Sequence, residues 1–140
     1  MRPDMKSKLK QILINHEGYK EQIYIDTIGK HIIGIGRNLD ERGVLPAEID
    51  MMFDHDSQYF YDQLDSYFSW FSALTMARQI ALIDLCFMGF KKFLEFEKMI
   101  EYLAVFDYDN ATDELLDSDW AKQVGRRADD IAMILVTGEL

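Results

Sequence analysis

The run Glu17-Gly18-Tyr19-Lys20-Glu21-Gln22-Ile23-Tyr24-Ile25-Asp26-Thr27-Ile28-Gly29-Lys30-His31-Ile32-Ile33-Gly34-Ile35-Gly36 contains a change of period, and that change decides the fold. Before it, Leu9, Ile12, Leu13 and His16 recur at three and four, which predicts an amphipathic helix over about 5–16. Gly18 supplies the stop, as glycine does just past a helix end, and Glu17 falls on the last turn. Inside the run the period drops to two. Gln22–Asp26 and His31–Gly36 flank the turn Thr27-Ile28-Gly29-Lys30 and predict a hairpin. In its second strand His31, Ile33 and Ile35 share one face, and Ile32, Gly34 and Gly36 the other. Two glycines on one face weaken a strand and mark a place where another chain comes close.

Working outward, residues 37–45 read as a loop. Pro46 suits a first helical turn, with Glu48 favourably placed against the helix dipole. The stripe Ile49, Met52, Phe53, Phe60, Leu64, Tyr67, Phe68 predicts one long helix to about residue 68, bridging the hairpin lobe to the rest. The segment 74–88, with Ile80, Ala81, Leu82, Ile83, Leu85, Cys86, Phe87 and Met88, is apolar nearly all round, the pattern of a helix buried at the centre of a bundle. Within it Asp84 reads as a buried, hydrogen-bonded core group. Further helices are expected at about 92–105, 108–116 and 122–137. The expected class is α+β, mostly helical. It is a single two-lobed domain over 1–140, with a hairpin lobe at 18–45, a connecting helix at 46–68, and a helical lobe at 69–140 packed with the N-terminal helix.

At 140 residues and 49% hydrophobic, the chain can bury one compact core, and no low-complexity run or repeat interrupts it. The net charge of −10 is unevenly spread. Residues 1–45 hold eight Lys/Arg and six Asp/Glu, a net of +2; residues 46–140 hold seven and nineteen, a net of −12. With no basic stripe and no His/Cys ligand cluster, nucleic-acid binding and a metal site find no support, and no cofactor is expected. The lone cysteine, Cys86, lies in an apolar run and reads as a buried thiol. No apolar leader segment and no run of about 18 apolar residues is present, so membrane insertion is not expected. The expectation is a monomer made in a host cytoplasm.

Two carboxylates carry the chemistry. The carbonyls at a helix C-terminus present negative charge to Glu17, and apolar neighbours would further disfavour its ionised form. A carboxylic acid kept protonated near neutral pH is what a glycosidase needs to protonate a leaving oxygen. Asp26 closes the first strand. Taken singly, Glu17 reads first as an exposed helix-end residue and Asp26 as a turn aspartate.

Their joint spacing is more specific. Glu17-Gly18, six residues, Tyr24-Ile25-Asp26-Thr27, Gly29, then Ile33-Gly34-Ile35-Gly36 and Arg37-Asn38-Leu39 resembles the active-site segment of the T-even-phage lysozyme family of muramidases. Trp120, Gln123, Arg127-Ala128 and Gly138 resemble that family's C-terminal segment. The resemblance covers most of the chain. It implies a cleft between two lobes in which the glycan strands of peptidoglycan are cut at the β-1,4 bond between N-acetylmuramic acid and N-acetylglucosamine. Glu17 would be the general acid, Asp26 the carboxylate supporting the attacking water, and Arg127 the cation approaching Glu17. The family inverts configuration, which implies carboxyls roughly 6.5–9.5 Å apart. Gly34, Gly36, Arg37, Phe87 and Gln123 would contact substrate, while Trp120 is expected to pack the C-terminal lobe.

The chain departs from the family at one catalytic position. A water-holding threonine stands six residues after the aspartate in the family; here Ile32 has neither donor nor acceptor. Thr27, one residue from Asp26, does not simply replace it. If the water-holding role is vacant, Ile32→Thr raises activity. His31 reads as a surface imidazole, and His16, next to Glu17, as a packed or half-exposed helix residue rather than one that tunes the acid. Two readings stand: an active muramidase of reduced rate, of the endolysin type, and a protein of the same fold that binds glycan or a protein partner without cutting.

Overall fold

The computed structural model describes all 140 residues. The elements follow in the order α1 (Pro3–Glu17), β1 (Lys20–Ile25), β2 (His31–Gly34), β3 (Arg37–Asn38), α2 (Leu39–Arg42), α3 (Pro46–Tyr67), α4 (Met76–Cys86), α5 (Phe90–Leu94), α6 (Glu97–Ala104), α7 (Tyr108–Leu116), α8 (Asp119–Val124) and α9 (Arg126–Thr137), with a 3₁₀ turn at Phe71–Ala73. With 68% of residues helical and one small antiparallel sheet, the class is α+β weighted to helix, as the periodicity predicted. The chain divides into two compact units, Met1–Met51 and Met52–Leu140, and the boundary falls inside α3.

In the first unit α1 starts on Pro3 and stops at Gly18, whose φ of 84° suits a residue without Cβ and whose N–H donates to Ile14 O at 2.8 Å. The sheet runs β1-β2-β3. Tyr24 opposes Ile32 and Ile25 opposes His31, whereas Lys20 opposes Gly34, so the register shifts between Lys20 and Tyr24. The segment expected as a loop over 37–45 instead holds β3 and α2. Asn38 Oδ1 accepts the Glu41 N–H at 3.0 Å and caps a helix of four residues, too short to register as periodicity. Ile32, 6% exposed, is the buried side chain of this unit; no residue of α1 is buried.

The second unit is built on α4. Leu82, Leu85 and Cys86 are fully buried against Phe71, Phe93, Leu103, Leu115 and Leu135. Burial pushes the Cys86 thiol up to about 12. The helix is not buried on every side, however: Ile80 and Phe87 are exposed and mark an open face. Two helices expected to be continuous are broken. Phe96 separates α5 from α6, and Gly125, at φ 58°, separates α8 from α9. Ser118 caps α8 by accepting the Ala121 N–H at 3.1 Å. Arg78 of α4 ties the end of α9 down, donating to Leu135 O at 2.8 Å and Val136 O at 3.0 Å while its guanidinium lies over the Tyr108 ring. Thr112 of α7 is buried and its hydroxyl has no partner. No helix is long and apolar enough to cross a membrane.

Candidate active site

The residues nominated from the sequence divide between the units. Glu17, Asp26, Ile32, Gly34, Gly36 and Arg37 belong to the first, and Phe87, Gln123 and Arg127 to the second.

Glu17 is the last residue of α1 and is exposed, so the apolar surround expected for it is missing. Its packing neighbour is Gly36, in the turn between β2 and β3. A Cβ at Gly36 would meet Glu17 Cγ at 3.0 Å and Glu17 Cβ at 3.3 Å. A close approach therefore occurs at Gly36, made by this chain's own Glu17 side chain rather than by another chain. It does not occur at Gly34, where nothing lies within 4 Å. The Tyr24 hydroxyl donates to the Glu17 carbonyl oxygen over 3.4 Å. Desolvation, then the negative charge of Glu17, then that of Asp26, raise the Tyr24 pKa above its ordinary value. One neutral phenol thus feels both carboxylates.

Asp26 does what a turn aspartate does. Its Oδ1 accepts the backbone N–H groups of Ile28 and Lys30, each at 2.9 Å, and the Asp26 N–H donates to Lys30 O at 2.9 Å. This fixes the carboxylate's orientation and leaves Oδ2 without a protein donor. A carboxylate held rigidly by one oxygen can accept a proton on the other.

Arg37 is half-buried and engaged. Its Nη1 donates to Gly43 O (3.0 Å) and Glu48 Oε2 (2.8 Å), and its Nη2 donates to Glu48 Oε1 (2.6 Å). Glu48 also accepts the Leu45 N–H at 2.8 Å at the start of α3. The guanidinium and this N–H hold the Glu48 carboxyl down at about 2. A helix-dipole role for Glu48 was legible; its partner eleven residues upstream was not. His31 is exposed, as expected, but not idle: its N–H donates to Asp40 Oδ2 at 2.7 Å and its Nδ1 lies 3.0 Å from the same oxygen.

In the second unit Arg127, on the first turn of α9, donates to Asp84 Oδ1 from Nη2 (2.5 Å) and Nε (3.0 Å), and to Asp84 O (2.9 Å). Asp84 is therefore not the buried core group expected; its side chain is 45% exposed and ion-paired. The spacing Ile80, Ile83, Asp84, Phe87 held the signal, because those positions form one helical face. That face, with Phe53 and Arg127, lines an apolar cavity of about 460 Å³. Gln123 lines a different groove, of about 410 Å³, with Lys92, Phe96 and Trp120. Trp120 is half-buried, packed edge-on against Phe96 at 6.1 Å. Phe87 and Gln123 thus line separate concavities.

No protein-family model matches the chain. It is similar to "Probable T4-type lysozyme 2" of Dictyostelium discoideum, with 25% identity over an alignment of 166 residues that takes in 97% of this chain and 98% of that protein.

Proposed function

We propose that the chain is a glycoside hydrolase of peptidoglycan, cutting the β-1,4 bond between N-acetylmuramic acid and N-acetylglucosamine. Glu17 protonates the departing glycosidic oxygen. The free Oδ2 of Asp26 accepts a proton from the attacking water. The observation that carries this reading is the pair of carboxylates at the end of α1 and just past the end of β1, Glu17 packed against Gly36 and Asp26 held by the Ile28 and Lys30 N–H groups. Similarity along nearly the whole chain to a protein named as a T4-type lysozyme supports the substrate class. The relative comes from an amoeba, so the reading does not require a phage source. Purified protein added to uncrosslinked peptidoglycan should release reducing ends, and Glu17→Gln should lower the rate by about a hundredfold or more. A wild-type chain without turnover would end the reading.

A second reading, a glycan or protein binder of the same fold that does not cut, is favoured by Ile32, which brings a buried aliphatic group to a catalytic position of the resembled family. Saturable binding to peptidoglycan with no reducing ends released would favour it; turnover lost in Glu17→Gln would exclude it.

A further inference from the structure

A water held by Asp26 Oδ2 has a second proton to place, and Ile32 has no atom to accept it. Antiparallel pairing sets Tyr24 directly opposite Ile32, and directly opposed residues project from the same face of a sheet. Asp26 follows two residues after Tyr24, and its N–H bond to Lys30 O continues the ladder, so it falls on that face as well. The register of β1 on β2 shifts just before Tyr24. The phenol meets the end of α1, where its proton is directed at the Glu17 carbonyl. Thr27, the other hydroxyl nearby in sequence, is exposed in the turn and belongs to the opposite parity.

We propose that Tyr24 supplies the hydroxyl that position 32 lacks, its phenol oxygen accepting a hydrogen bond from the attacking water beside Asp26. The proposal rests on the glycosidase reading above and names the residue that completes that site. The water oxygen forms the new bond to the anomeric carbon. One water proton passes to Asp26 Oδ2, and the other stays hydrogen-bonded to the Tyr24 oxygen. The bond to the glycosidic oxygen breaks as Glu17 delivers its proton there. The phenol keeps its own proton on the Glu17 carbonyl throughout. Its raised pKa fits this part, because the group stays neutral across the working range of both carboxylates.

The test measures release of reducing ends from uncrosslinked glycan strands by wild type, Tyr24→Phe, Ile32→Thr and the double variant, with thermal unfolding of each. Tyr24→Phe should lower kcat about tenfold or more with KM within about twofold. In the Tyr24→Phe background Ile32→Thr should restore most of the loss. Tyr24→Phe with wild-type kcat overturns the proposal, as does a loss that Ile32→Thr does not rescue. Should Tyr24→Phe fail to fold, Ile32→Thr in the native chain still decides: a gain of about tenfold or more means the water position was vacant and overturns it. A wild type without turnover removes this proposal and the glycosidase reading together. Turnover that needs Glu17 but not the Tyr24 hydroxyl removes this one alone.

Discussion

Gly36 and Glu17 touch where neither could with a different residue at position 36: the space a Cβ would occupy lies 3.0 Å from Glu17 Cγ. The glycine also sits at φ 76°, a conformation L side chains rarely adopt. The β2–β3 turn thereby forms a wall against which the acid at the end of α1 rests.

Gly36→Ala should accordingly lose about 1–2 kcal/mol of stability from the backbone alone, and in addition displace the Glu17 side chain. Gly43→Ala separates the two effects. It also has a positive φ, 58°, but nothing lies within 4 Å of its Cβ position. Both variants should melt earlier; only Gly36→Ala should lose most of its kcat. Equal kcat values in the two would show that the contact with Glu17 has no bearing on the rate.

The Arg37–Glu48 pair predicts an acid-sensitive first unit. Glu48 titrates at about 2 in the folded chain against 4.5 for the free group. A depressed folded value means that the contribution is complete above about pH 5 and disappears as pH falls through about 2. The melting temperature of wild type should fall across that window. Glu48→Gln should melt lower at pH 6 and show a shallower decline toward pH 2; parallel curves would contradict the assignment.

Asp84→Asn removes the charge opposite Arg127 while keeping its shape. With the side chains 43% and 45% exposed, solvent screens the pair, and the loss should stay below about 1 kcal/mol in urea denaturation. A loss above about 2 kcal/mol would mark the pair as a main tie between α4 and α9.

Thr112 offers the opposite sign. Its buried hydroxyl lacks a partner, so Thr112→Val exchanges an unsatisfied group for a methyl and should stabilise by about 1 kcal/mol. A destabilised variant would mean the hydroxyl finds a bridging water.

Where the chain keeps one period for several turns, the sequence foretold the structure closely: α1, the hairpin, α3, α4 and α7 lie within a few residues of expectation. Breaks were harder to see. Gly125 sits in an otherwise continuous apolar pattern, and a single glycine is tolerated inside many helices, so α8 and α9 read as one. The Ser118 cap was the available sign of a fresh start. At the site, Glu17 and Asp26 were visible because helix end and strand end are local signals. The neighbours that govern them were not. Gly36 against Glu17, Arg37 against Glu48 and Asp84 against Arg127 join residues 11 to 43 positions apart, and only folding decides such encounters. Tyr24 stood in the sequence only as part of a motif; its contact with the Glu17 carbonyl comes with the pairing of β1 on β2, whose register shift has no counterpart in residue periodicity.

The sealed position of Cys86 reaches beyond packing. With the thiol pushed up to about 12, only about one molecule in 10⁵ carries the reactive sulfur anion at pH 7. The folded protein's one thiol is thus close to inert toward disulfide exchange, whereas the exposed thioethers of Met5, Met76 and Met133 stay open to oxidants. Oxidation of the cysteine must wait for α4 to open, which couples the lifetime of this single thiol to the unfolding rate of the helical unit rather than to the redox potential around it.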